Sequence, residues 1–93
     1  KIGTLGLAII AHELSVPFYV AMPLSTVDPT IASGAEIPIE VRGEDELRVF
    51  NGRAIVPAAA GVYNPAFDIT PHRYVTAFIT ERGVVSPPYL FGI

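Results

Sequence analysis

The sequence predicts an α/β fold: a parallel sheet flanked by helices, with one small β-hairpin attached. Three observations carry this prediction. The stretch Ile2–Leu14 repeats apolar residues at helical spacing. Phe18–Met22 is a continuous apolar run between prolines, the mark of a strand buried on both faces. Asn51-Gly52, a pair that favours a type I′ turn, separates two short apolar segments.

The elements follow in order. Ile2, Leu5 and Ile9 share one helical face, and Leu7, Ile10 and Leu14 share another. A helix apolar on most sides is expected to be buried on most sides. Gly3 and Gly6 lower its intrinsic propensity but permit close backbone approach in the first turn. Pro17 stops it, because α geometry is disfavoured at Val16. A buried helix leading within a few residues into a buried strand is half of a βαβ unit. The strand that should precede the helix would lie upstream of Lys1. Leu24–Ser33 reads as a loop in which Ser25, Thr26 and Asp28 are candidates for turn stabilisation. Ile37–Val41, which alternates apolar residues with Pro38 and Glu40, predicts an edge strand. Leu47–Phe50 and Arg53–Val56 form the hairpin around Asn51-Gly52, while Glu44-Asp45-Glu46 offers the start of a short helical turn as an alternative. Asn64-Pro65 marks another turn. Thr70-Pro71 pairs an N-cap hydroxyl with a proline at the first helical position and predicts a final helix. In that helix Tyr74 and Phe78, and Val75 and Ile79, pair at i, i+4, and Gly83 caps the C-terminus. Val84-Val85 reads as a last short strand and Ser86–Tyr89 as an extended tail.

Ninety-three residues make one small domain at most. With 51% hydrophobic and 16% charged residues and a mean hydropathy of +0.47, the chain is more apolar than an isolated domain of its size requires. Part of its surface is expected to be covered by another chain, a second copy or the rest of a longer protein. The absence of an initiator Met and the immediate apolar segment mark Lys1 as the expected start of a fragment. Residues 1–93 therefore read as one unit, incomplete without an upstream segment. The net charge is −3, and the six basic residues are scattered with no two adjacent. That distribution argues against a nucleic-acid partner, which needs clustered cations. There is no cysteine, which excludes a disulfide scaffold and a Cys-based zinc site. The longest nearly uncharged apolar run, Ile2–Ala11, is shorter than the roughly 20 residues of a membrane span, and it lacks signal-peptide features.

Few side chains suggest chemistry. Lys1 immediately precedes a glycine-containing helix start, where unpaired N–H groups and the helix dipole favour anions. It reads either as a phosphate contact or as a solvated lysine. His12 and His72 lie far apart with no second ligand near either, so no metal site is supported. Asp28 and Asp68 sit beside turn and cap signals, where carboxylates usually accept backbone N–H groups. Glu36 and Glu40 fall on one face of the expected edge strand, which is solvated or salt-bridged. Tyr63, Phe67, Tyr74 and Phe78 are candidates for core packing or for a subunit contact. These residues alone give no complete active site and no catalytic residue.

Several residue strings carry more. Lys1-Ile2-Gly3-Thr4 before an apolar helix, Pro17-Phe18-Tyr19-Val20, and Leu24-Ser25-Thr26-Val27-Asp28 resemble successive segments of the methylthioribose-1-phosphate isomerases. So do Ser33-Gly34-Ala35-Glu36-Ile37-Pro38-Ile39-Glu40, Asn64-Pro65-Ala66-Phe67-Asp68 and Thr80-Glu81-Arg82-Gly83. The resemblance covers nearly the whole chain in order. The Asn-Pro-Ala-Phe-Asp and Thr-Glu-x-Gly motifs are shared with ribose-1,5-bisphosphate isomerases and with the alpha, beta and delta subunits of initiation factor 2B. The Ser-Thr-x-Asp loop and the segment from Ser33 to Glu40 discriminate in favour of the methylthioribose-phosphate branch. Val41-Arg42 departs from the usual Glu-Arg. The resemblance implies a Rossmann-like domain, a homodimer, a cytoplasmic protein and no metal or organic cofactor. It also implies an aldose–ketose isomerisation in methionine salvage, from 5-methylthioribose 1-phosphate to 5-methylthioribulose 1-phosphate. The family's catalytic cysteine and aspartate have no counterpart here. Of its substrate contacts only the lysine falls in this chain, at Lys1, so the resemblance favours substrate binding there. It implies a companion N-terminal segment or chain carrying the rest, and a small sugar phosphate as ligand. A non-catalytic regulatory module or a bisphosphate isomerase is the alternative.

Overall fold

The computed structural model of the chain describes residues 1–92. Its first element is helix α1 (Thr4–Glu13), inside the stretch expected from the sequence. The helix ends in a Schellman arrangement: the Ser15 N–H donates to the carbonyl of His12 (3.1 Å), and the Val16 N–H donates to that of Ala11 (2.8 Å). Ser15 takes the left-handed conformation, φ 57°, that this ending requires. Pro17 follows, and the chain turns into strand β1 (Tyr19–Ala21).

A 3-10 turn (Leu24–Thr26) and a second one (Gly34–Glu36) occupy the region after β1. Helix α2 (Asp45–Arg48) then leads directly into the hairpin of β2 (Val49–Phe50) and β3 (Arg53–Ala54). Asn51 and Gly52 both have positive φ, 54° and 72°, as a type I′ turn demands. The Asn-Gly pair forms its turn, but the hairpin is shorter than the expected Leu47–Phe50 and Arg53–Val56, because the acidic run opens a helix that takes Leu47 and Arg48. A third 3-10 turn (His72–Tyr74) precedes β4 (Ala77–Thr80) and β5 (Gly83–Val85). The main sheet has the order β1-β4-β5; β1 runs parallel to β4, and β4 antiparallel to β5.

Several expectations are corrected here. Residues 70–83 do not form a helix. Pro71 is extended (φ −58°, ψ 138°), a single 3-10 turn follows, and Phe78 and Ile79 pair across strands. Val75, Thr76, Phe78, Ile79 and Thr80 are β-branched or aromatic, and pairing with β1 outweighs their helical spacing. Gly83 does need an unusual backbone (φ 121°), but it closes a hairpin instead of capping a helix. Ile37–Val41 is not a strand; only Val41 forms a bridge, to Pro65. The sheet is mixed, not purely parallel. Ser86–Tyr89 is a turn, with the Tyr89 N–H donating to the Ser86 carbonyl at 2.8 Å.

The core is small: Ala8 and Ala11 of α1, Leu24, Val75 and Ala77, with Thr80 beside them. The Thr80 hydroxyl donates to the Gly83 carbonyl and accepts the Arg82 N–H, so its burial leaves nothing unpaired. Neither α1 nor β1 is buried on two faces as expected. Leu7, Ile10 and Leu14 are each more than half exposed, and Tyr19 is 53% exposed. The accessible surface is 7070 Å², whereas a self-contained monomer of this mass exposes about 5,200 Å². The radius of gyration is 17.1 Å, against about 12 Å for a compact domain of this length. Among the described residues no helix is long and apolar enough to cross a membrane.

Candidate functional site

The first turn of α1 is where the sequence places its one candidate ligand residue. Gly3, the residue before the helix, has φ 145°, a conformation that side-chain-bearing residues rarely adopt. Lys1 and Ile2, which precede it, are both exposed. The helix supplies no cap from its own neighbourhood. The cap comes from Asp68, whose Oδ2 accepts the N–H of Gly3 at 2.9 Å and that of Leu5 at 3.2 Å. Those bonds, the Gly3 one first, hold the Asp68 carboxyl below the usual carboxylate range. Two of the donors that an anion would use at this helix start are therefore already engaged.

Asp68 belongs to the segment 64–68, which acts as a clasp. The Asn64 side-chain amide donates to the Gly43 carbonyl (3.0 Å) and to Glu46 (3.3 Å). Its backbone carbonyl accepts the Arg42 N–H (2.7 Å), and the Ala66 N–H donates to the Glu40 carbonyl (2.8 Å). Arg42 in turn grips Glu46 through Nε and Nη2 and reaches Glu40 at 3.2 Å. Bonding from Arg42 foremost, with small contributions from Asn64 and the charge of Lys1, holds Glu46 below its ordinary range. One short segment therefore ties the start of α1 to the region around α2.

Beside Asp68 lies an open cavity of about 450 Å³ walled by Gly34, Ile37–Ile39 and Phe67–Thr70. Its lining is apolar apart from Asp68 and Thr70. Gly34 packs closely there, since a Cβ at this position would lie 3.0 Å from Cγ2 of Ile69 and would push that side chain aside. Ile37 and Pro38 also wall a second cavity of about 300 Å³ with Thr26, Asp28, Ile31 and Glu36.

The remaining candidates have structural partners. Asp28 accepts from the hydroxyl of Thr30 (2.5 Å) and its N–H (2.9 Å), and these bonds lower its pKa in that order. Glu36 turns back onto the N–H groups of Ala32 and Ser33 and does not line a strand with Glu40. His12 packs edge-on against Tyr74, and His72 against Tyr89. Tyr74 and Phe78 are half-buried, Phe78 packing with Tyr89 and Phe91, whereas Tyr63 and Phe67 stay exposed. Glu81 carries a role that residue-level reading missed: both its oxygens accept the N–H of Leu24, at 2.9 and 3.1 Å. Only its place in the Thr-Glu-x-Gly string marked it. Among the described residues no group of three or more acidic, His or Cys side chains could hold a metal ion.

An α/β chain with a parallel strand pair and a helix start capped from a distant Asn-Pro-Ala-Phe-Asp segment defines a family. Residues 1–87 match the model of the Initiation factor 2 subunit family, and the chain belongs to it. Its curated relatives include methylthioribose-1-phosphate isomerases. It is 56% identical over 89 residues to the methylthioribose-1-phosphate isomerase of Caldicellulosiruptor saccharolyticus and 53% identical over 93 residues to that of Thermus thermophilus. These matches cover 96% and 100% of this chain, and 26% and 28% of the two relatives. The chain thus spans about a quarter of the length of the curated relatives it matches. The 5-methylthioribose 1-phosphate isomerase structure from Pyrococcus horikoshii superposes with a TM-score of 0.84 at 50% identity, covering 96% of this chain and 25% of that one. The delta subunit of translation initiation factor eIF-2B from A. fulgidus gives the same TM-score at 46% identity, covering 96% and 26%.

Proposed function

We propose that this chain is the C-terminal portion of an aldose–ketose isomerase that converts 5-methylthioribose 1-phosphate to 5-methylthioribulose 1-phosphate. The observation that carries the reading is the identity of 53–56% to such isomerases across almost every residue, Lys1 included in the 93-residue match. In this reading the chain contributes scaffold and one substrate contact. Lys1 binds the phosphate as a flexible ammonium. The catalytic cysteine and aspartate belong to the upstream part of the protein, which acts with this chain as one enzyme.

The architecture supports that division. α1 leads into β1, one edge of β1 pairs with β4, and the other edge is open. A right-handed crossover puts the strand preceding α1 on that open edge, parallel to β1. The result is a Rossmann-like sheet, completed by upstream residues that also cover the apolar faces of α1. The complete protein is read as a cytoplasmic homodimer, with exposed Tyr63 and Leu90 available for contacts.

The test is an assay of the complete gene product on 5-methylthioribose 1-phosphate, 5-deoxyribose 1-phosphate and ribose 1,5-bisphosphate. Turnover is expected on the first. Lys1→Ala should raise KM roughly 10- to 100-fold, the range of a lost charge-assisted bond, with a smaller change in kcat. Preference for the bisphosphate would reassign the sugar. The match to the eIF-2B delta subunit favours a second reading, a regulatory module without turnover. Absence of activity on all three sugars, from folded protein, would favour it.

A further inference from the structure

The candidate contact, Lys1, lies two residues before Gly3. Among the described residues, neither Lys1 nor Ile2 makes a backbone hydrogen bond, and the first backbone bond on the helix side of Lys1 is at Gly3. Gly3 sits at φ 145°, a conformation with no intrinsic preference strong enough to hold it in one direction. What fixes it is a side chain 65 residues away: Asp68 accepts the N–H groups on either side of Thr4, from Gly3 and Leu5. Asp68 is itself held in place. Ala66 is bonded to Glu40 and Asn64 to Gly43, and Ile69 abuts Gly34. The clasp thus transmits the position of the main body to the turn.

Its charge matters as well. A carboxylate across these donors makes the helix start a poor site for a phosphate, because the donors are taken and an anion already stands there. A phosphate approaching this turn therefore has the Lys1 ammonium, two residues before Gly3, as its nearby source of positive charge.

We propose that Asp68 is a positioning residue for substrate binding: through the N–H groups of Gly3 and Leu5 it fixes the turn that presents Lys1 to the sugar phosphate. This rests on the reading of Lys1 as a phosphate contact. Asp68 touches neither substrate nor reacting atoms in this role.

The experiment uses the complete gene product and four variants: Lys1→Ala, Asp68→Ala, Asp68→Asn and the Lys1→Ala/Asp68→Ala double. The quantities read are kcat and KM for 5-methylthioribose 1-phosphate and the competitive Ki of inorganic phosphate. Asp68→Ala is expected to raise KM and Ki together by about tenfold, as loss of a binding interaction does. Asp68→Asn keeps an acceptor oxygen and should recover most of the loss. The double variant should be no worse in KM than Lys1→Ala, because the two residues act through one contact. A purely structural cap would instead lower the folded fraction, and hence kcat, at unchanged KM and Ki; that result overturns the proposal. So does a double variant whose effects multiply. If Lys1→Ala itself leaves KM and Ki unchanged, the reading of Lys1 fails and takes the positioning role with it. That failure is distinct from the case in which Lys1→Ala moves both constants and Asp68→Ala moves neither.

Discussion

Four carboxylates share one physical situation. Asp68 is held down by the N–H groups of Gly3 and Leu5, and Asp28 by the hydroxyl and N–H of Thr30. Glu46 is held down first by Arg42, and Glu81 by its own N–H and that of Leu24. Each is an acceptor whose bonds the fold holds in place, so each binds its proton more weakly folded than unfolded. The sign follows: their stabilising contribution is whole above the unfolded values, about 3.9 for Asp and 4.3 for Glu, and is lost as pH falls through the lower folded values. Acid should therefore release the start of α1. In an NMR titration of the complete gene product, the amide shifts of Gly3 and Leu5 are expected to stay flat to about pH 4 and to move together below it. A joint midpoint above the ordinary Asp value would mean that Asp68 does not hold them. At this scale the sequence was half legible. Asp68 and Asp28 read as acceptors of backbone N–H groups, which they are. That the donors for Asp68 lie 63–65 residues away has no local signal, because a cap that crosses the chain leaves no spacing to detect.

Among the elements, those specified by neighbouring residues were the ones the sequence disclosed. α1 stops where Pro17 requires, and the Asn51-Gly52 turn needs only its own two positive φ angles. Residues 70–83 show the converse. Tyr74/Phe78 and Val75/Ile79 satisfy a helical spacing, yet the same residues suit a strand, and a short apolar run does not separate the two periods. The deciding term is β1, more than fifty residues earlier, whose parallel edge β4 fills. Gly83 is instructive, since its need for an unusual φ was readable while the element using it was not. The Schellman ending of α1 carries its own prediction. Ser15 sits at φ 57°, where a Cβ costs about 1 kcal/mol or more. Ser15→Gly is expected to raise the stability of the complete gene product by about 1 kcal/mol, read as a higher urea midpoint at unchanged slope. A lowered midpoint would mean that the exposed Ser15 side chain makes a stabilising contact.

For the whole molecule, the surface excess is the governing fact. Composition predicts cover for this chain, and the exposed faces of α1 and the open edge of β1 are where such cover would sit. The small core of alanines, Leu24 and Val75 leaves Leu7, Ile10, Leu14 and Tyr19 to solvent. The 93-residue chain alone is therefore expected to self-associate and to bind a hydrophobic dye. Co-expression with an upstream segment of the length that the curated relatives carry should abolish both, as sedimentation and dye fluorescence would report. A monodisperse, dye-silent monomer would show that the exposed faces need no cover.

The distance between α1 and its cap has a further consequence in time. A ribosome delivers Thr4–Glu13 before it delivers Asp68, so the helix emerges with its first N–H groups turned to water. Gly3 and Gly6 keep it weak in that interval. Only when the Asn-Pro-Ala-Phe-Asp segment leaves the exit tunnel can the first turn close, and the same five residues then draw in the α2 region through Asn64. Asp68 thus fastens a turn made 63–65 residues earlier, and a nascent chain stalled before Asp68 would leave that turn unfastened.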